Sequence, residues 1–184
     1  MQADLQSPLK FKINRVKRLY TGGSGIDRMR GIQNPSDNEF PEDWIASCVE
    51  ANSRGFHAPG HGLSTIIDCT GKELSFPELL QKYPSELLGE KHAEIFGNFP
   101  GVLSKLLDSA IRLPLQVHPD RAFARKSFNS QYGKTEAWII LSTREINGEV
   151  PYILLGFNEK LNEKVFREES KSGIYKIGLE MLHK

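Results

Sequence analysis

Apolar and basic residues interleave near the start of the chain. Phe11, Ile13, Val16 and Leu19 sit among lysines and arginines, a pattern that predicts a first strand over 10–19. The next residues, Thr21-Gly22-Gly23-Ser24-Gly25, read as a flexible turn that opens no helix. A Pro, Asn and Asp-rich loop follows over 33–43, then a short buried strand over 44–49. Residues 52–62 read as loop, and 64–68 as another short apolar strand. A helix opens at Ser75: serine is the cap, Pro77 lies near the start and Glu78 stands three residues on. Tyr83-Pro84 ends it, because the residue before a proline avoids the helical region. A weaker helical piece spans 85–92.

The second half carries stronger strand signals. Residues 102–107 and 113–117 flank a turn at Asp108-Ser109. A short helix is predicted over 121–128, and the run 136–142 is the clearest strand of the chain. Asn147-Gly148 is a hairpin signal, with the returning strand over 150–157 and a helical pattern over 162–169. The tail, 175–184, shows no clear ending. Short strands, tight turns and a few helices predict a mainly β fold, an antiparallel barrel or sandwich decorated by helices. One domain over 1–184 suits the length.

Composition narrows the class of function. The 24 basic residues against 23 acidic ones leave a net charge of +1, which argues against a partner bound through a phosphate backbone, so no nucleic acid is expected. The basic run from Lys10 to Arg18 reads as a solvated strand edge. The opening residues, 1–14, lack the apolar core of a signal peptide, and no apolar stretch approaches the roughly 20 residues of a membrane helix. A cytoplasmic protein with no membrane partner is expected. Cys48 and Cys69 lack metal-ligand spacing; two buried free thiols are expected, one disulfide being the alternative.

Candidate chemistry lies in Leu115-Gln116-Val117-His118-Pro119-Asp120. On an extended chain Gln116 and His118 share a face. Gly133-Lys134-Thr135-Glu136, whose Glu136 stands eighteen residues after His118, opens the strongest strand, and pairing there would let Glu136 join them. An amide oxygen, an imidazole and a carboxylate suit a divalent cation such as zinc. Spacing alone favours a plainer reading: a structural histidine and a surface Lys–Glu pair. His57 and His61 are separated by Pro59 and Gly60, which rule out a metal-binding helix, and read as surface histidines.

PLQVHPD followed by GKTEAW resembles the paired signature of class I mannose-6-phosphate isomerases. Further likenesses are FGNFP before Leu106-Leu107-Asp108, PEDWIAS over 41–47, Gly62-Leu63-Ser64, and RLYTGG with Tyr20 in the place of a tryptophan. The resemblance implies a cupin barrel (a jelly roll), here incomplete at its C-terminal end. It implies one Zn2+ per chain held by Gln116, His118 and Glu136. It implies an aldose–ketose isomerisation of mannose 6-phosphate and fructose 6-phosphate through an enediol. Lys134 is then the catalytic candidate, and Glu42, Trp44 and Ser64 the candidates for binding the sugar phosphate. Two departures stand out. Pro114 replaces a phosphate-contacting serine of many members, and the family's P-x-G-x-x-H-A segment and downstream arginine do not occur. A fragment of a longer chain is therefore expected, with His183 a weak substitute ligand and self-association through open strand edges as a homo-oligomer. The alternative is a non-catalytic cupin-like module that binds a sugar or regulates its use.

Overall fold

The computed structural model describes residues 5, 7–53, 55–114, 116–158 and 162–171. The tail beyond 171, with His183, lies outside them. The chain divides into two compact units, Met1–Thr135 and Glu136–Lys184.

The first unit holds two antiparallel three-stranded sheets. One orders β1 (Lys10–Phe11), β4 (Thr65–Ile67) and β5 (Glu73–Ser75), with β4 central. The other orders β2 (Arg15–Val16), β3 (Glu42–Ile45) and β6 (Ser104–Leu107), with β3 central. The single strand expected over 10–19 is therefore two. The break at Lys12–Asn14 switches the chain between sheets, and there Asn14 bonds both Asp43 and the carbonyls of Trp44 and Gly62. Neither sheet closes into a barrel among the described residues.

Apolar periodicity explains the core. Helix α2 (Phe76–Lys82) buries Phe76, Leu79 and Leu80 against Ile66 of β4, with the Phe11 ring edge-on to Phe76 at 5.0 Å. Ser75 caps α2 by accepting from the Glu78 amide at 3.4 Å, and Tyr83 ends it, as the residue types predict. The weaker helical stretch is split at Gly89 into α3 (Pro84–Leu88) and α4 (Glu90–Phe96).

The glycine-rich turn is not a mere turn. It leads into α1 (Ser24–Met29), contrary to the expectation that no helix opens there. Asp108, just after β6, accepts from the amides of Gly23 at 3.0 Å and Gly25 at 2.8 Å, neutralising the start of α1. A Cβ on Gly22 would lie 1.9 Å from the Asp108 carbonyl oxygen, so the backbones approach more closely than any side chain allows. The basic run is also no solvated edge. Arg15 pairs with Asp27, Lys17 with Glu39 at 2.7 Å, and Arg18 with Glu42 at 3.4 Å. Both cysteines are free, but Cys69 is exposed rather than buried, because it sits in the tight turn closed by Asp68 and Lys72. His61 is no plain surface residue either: it is half-buried, and its Nε2 accepts from the Lys17 amide at 3.1 Å.

Helix α5 (Arg121–Phe128) matches its predicted span, capped by Asp120, whose Oδ1 accepts from the Phe123 amide at 2.7 Å. The second unit contains α6 (Glu163–Lys171), where Asn162 accepts from the Val165 amide at 3.0 Å. At the hairpin signal, Asn147 and Gly148 both take positive φ, and Ile146 bridges Glu149. The strands expected over 136–142 and 150–157 are not formed among the described residues. Ile139 is 86% exposed and Leu155 80% exposed, so among the described residues these apolar runs are left largely uncovered. The strand expected over 113–117 is not assigned either; Leu115 lies outside the described residues.

Candidate metal and substrate site

Three exposed side chains of the first unit converge. Gln116 Oε1 and His118 Nε2 lie 3.5 Å apart, brought together as the two-residue spacing suggested although no strand is assigned there. Lys134 Nζ lies 3.1 Å from His118 Nε2 and 3.4 Å from Gln116 Oε1. An ammonium can only donate, so in the contact with Lys134 it is His118 Nε2 that accepts, through the lone pair an imidazole uses to ligate a metal.

The two motifs are held together by backbone rather than by these side chains. The Lys134 amide donates to the Pro119 carbonyl at 2.9 Å. A Cβ on Gly133 would meet that same carbonyl at 2.7 Å and the Arg121 nitrogen at 3.0 Å. The glycine of GKTE therefore permits the close approach that sets Lys134 beside His118, while the aspartate of QVHPD fixes α5 as its cap. A hollow of about 620 Å³ adjoins the cluster, lined by His118, Asp120, Tyr132 and Lys134 among others. The Tyr132 ring leans on Phe99 at 5.3 Å.

Donor chemistry fits a divalent cation. Two ligands each about 2.1 Å from a tetrahedral metal stand about 3.4 Å apart; the Gln116–His118 separation is 3.5 Å. Among the described residues no three His, Cys, Asp or Glu side chains gather as a metal cluster. Glu136 opens the second unit, where its carboxylate accepts from the Trp138 indole at 2.6 Å.

Glu42, Trp44 and Ser64 lie elsewhere in the first unit, buried, and none of them lines the hollow. Glu42 is 1% exposed and accepts from the Tyr20 hydroxyl, from the Trp44 indole at 2.6 Å and from Lys105 at 3.4 Å. Burial, followed by the Glu42 carboxylate, pushes the Tyr20 hydroxyl far above the usual phenol range. Ser64 Oγ accepts from the Ser47 amide at 2.9 Å and donates to the Trp44 carbonyl at 3.1 Å. The sequence offered no signal for Lys105, Arg18 or Tyr132 beyond residue type; their places depend on which strands pair and where a loop returns.

Comparison with known proteins agrees with the paired motifs. The chain is similar to the mannose-6-phosphate isomerase of Streptococcus mutans, 42% identical over 146 residues, covering 77% of this chain and 39% of that protein. It is 28% identical over 167 residues to the mannose-6-phosphate isomerase of Escherichia coli, covering 86% of this chain and 38% of that protein. A shorter match of 82 residues at 34% identity is to the mannose-6-phosphate isomerase ManA of Bacillus subtilis, covering 42% of this chain and 25% of that protein. No family model and no solved structure matches. The chain thus spans about two fifths of the length of the first two relatives while matching them over most of its own.

Proposed function

We propose that this relative of the mannose-6-phosphate isomerases carries the metal-holding part of a site that interconverts mannose 6-phosphate and fructose 6-phosphate. The observation that carries the reading is the convergence of Gln116, His118 and Lys134 within 3.5 Å of one another beside a hollow. The finer parts of the proposal are a cupin barrel in the whole polypeptide, zinc as the metal, Glu136 as a third ligand and a cytoplasmic location. Glu42, Trp44 and Ser64 remain proposed contributors to sugar phosphate binding, with the buried carboxylate aligning Trp44 and Lys105. Self-association is proposed as well.

Bound there, a divalent cation would supply a Lewis acid for the sugar oxygens at C1 and C2. Gln116 Oε1 and His118 Nε2 would hold it. Isomerisation moves one proton from C2 of the aldose to C1 of the ketose and another between the two oxygens. Lys134 is placed to donate a hydrogen bond to an oxygen in the hollow as negative charge develops on it.

Elemental analysis of chelator-treated, metal-restored protein, followed by a mannose 6-phosphate isomerisation assay, tests the proposal. The expected result is one zinc per chain and turnover that disappears in His118→Ala while the protein stays folded. No metal and no turnover overturns it. Metal with sugar phosphate binding but no turnover, in the full polypeptide, identifies a non-catalytic sugar-binding module instead.

A further inference from the structure

We propose that Lys134 is a resident cation: its ammonium takes the place between Gln116 and His118 that a divalent metal takes, and metal binding displaces it into the adjoining hollow. This rests on the reading of Gln116 and His118 as metal ligands.

The geometry is that of an exchange at one position. Lys134 Nζ lies 3.1 Å from His118 Nε2 and 3.4 Å from Gln116 Oε1, and those two acceptors lie 3.5 Å from each other. One cation therefore already uses the lone pairs that a metal would use. A metal at about 2.1 Å from each donor and an ammonium at hydrogen-bond distance from both cannot share them. The backbone of Lys134 is pinned, its amide on the Pro119 carbonyl at 2.9 Å and Gly133 packed against the same turn. Exchange therefore moves the lysine side chain and leaves the chain path alone. The hollow gives that side chain somewhere to go, and its lining includes Asp120 as well as Lys134 itself.

The arrangement has two effects. Without metal, the ammonium spaces the two donors, so the site does not need to reorganise its ligands. It also sets a threshold. A monovalent ion offers the ligands no more charge than the ammonium does, so the exchange favours a dication that binds nitrogen and oxygen directionally.

Cobalt(II) binding to the full chain, measured by competition with a chromophoric chelator, tests the proposal in wild type and in Lys134→Met. In parallel, acetylation of Lys134 in the wild-type protein is followed by peptide mass spectrometry with and without cobalt. The expected results are at least about tenfold tighter cobalt binding by Lys134→Met, from losing both the competitor and its like charge, and faster Lys134 acetylation when cobalt is present. Equal or weaker binding by Lys134→Met, with wild type binding cobalt, overturns the resident-cation role and leaves the ligand assignment intact. Unchanged or slower acetylation on cobalt addition also overturns it, and needs no variant to fold. Absence of cobalt binding in both proteins removes the ligand assignment, and the resident-cation role with it.

Discussion

On β3, Glu42 is 1% exposed and Trp44 5% exposed, and Ser64 is equally enclosed. On the other side of the comparison, Gln116, His118 and Lys134 are all exposed, and they meet one another. Both groups belong to the same unit, and both were singled out by the same kind of motif. The inner group spends its hydrogen bonds within the buried core around β3: an indole, a phenol, two backbone groups. The outer group is positioned by backbone, through Pro119, Asp120 and Gly133, which leaves its side-chain donors and acceptors facing a hollow. A polar side chain that holds strands together is costly to remove, whereas one held up by its surroundings can be removed with little loss of stability. The difference can be tested by substitution.

The largest loss of stability is expected for Glu42→Ala, about 3–5 kcal/mol, because it strips a buried anion from Tyr20, Trp44, Arg18 and Lys105. Urea unfolding measures it, and a loss below about 1 kcal/mol would place Glu42 with the outer group. Ser64→Ala should cost about 1–3 kcal/mol by leaving the Ser47 amide unsatisfied, read from the same unfolding curves. Gly133→Ala should cost a comparable or smaller amount, about 1–3 kcal/mol from the forced contact with Pro119. Unlike Ser64→Ala, it should also tighten metal binding, since it moves the competing Lys134 away from His118.

A smaller effect is expected from pH. Burial, then the charge of Arg18, holds the His61 imidazole below its usual range. A folded-state value lowered from about 6.5 means that the unfolded chain takes up the proton more readily. The stabilisation is present above about pH 6.5 and fades as pH falls through the folded-state value. The urea midpoint should therefore drop from pH 7.5 to pH 5.5 in wild type and drop less in His61→Gln. The smallest stability change belongs to His118→Ala, within about 0.5 kcal/mol, with all metal binding lost. A large destabilisation there would erase the contrast between the two groups.

Much of the outer cluster was legible in the chain, because its geometry is local. Two residues two apart on an extended segment share a face whatever the fold, and the cap at Asp120 and the span of α5 follow from residue type. Ser75 and Tyr83 bounded α2 for the same reason. What failed was non-local. The alternation over 10–19 does not show that Asn14 hands the chain from one sheet to the other, and the basic run does not show Asp27, Glu39 and Glu42 waiting for it. The runs over 136–142 and 150–157 have every residue type of a strand, yet a strand is completed by its partner's hydrogen bonds, which no residue pattern supplies.

The glycine-rich turn before α1 has a consequence for binding. Its amides at Gly23 and Gly25 already face one carboxylate oxygen of Asp108, and the Ser24 amide faces Asp37 at 3.1 Å. An anion tethered by the chain competes at an effective concentration on the order of millimolar or higher. Dissolved phosphate would have to outbid an internal ligand that never diffuses away, so this loop is a receptor the protein has closed with its own key.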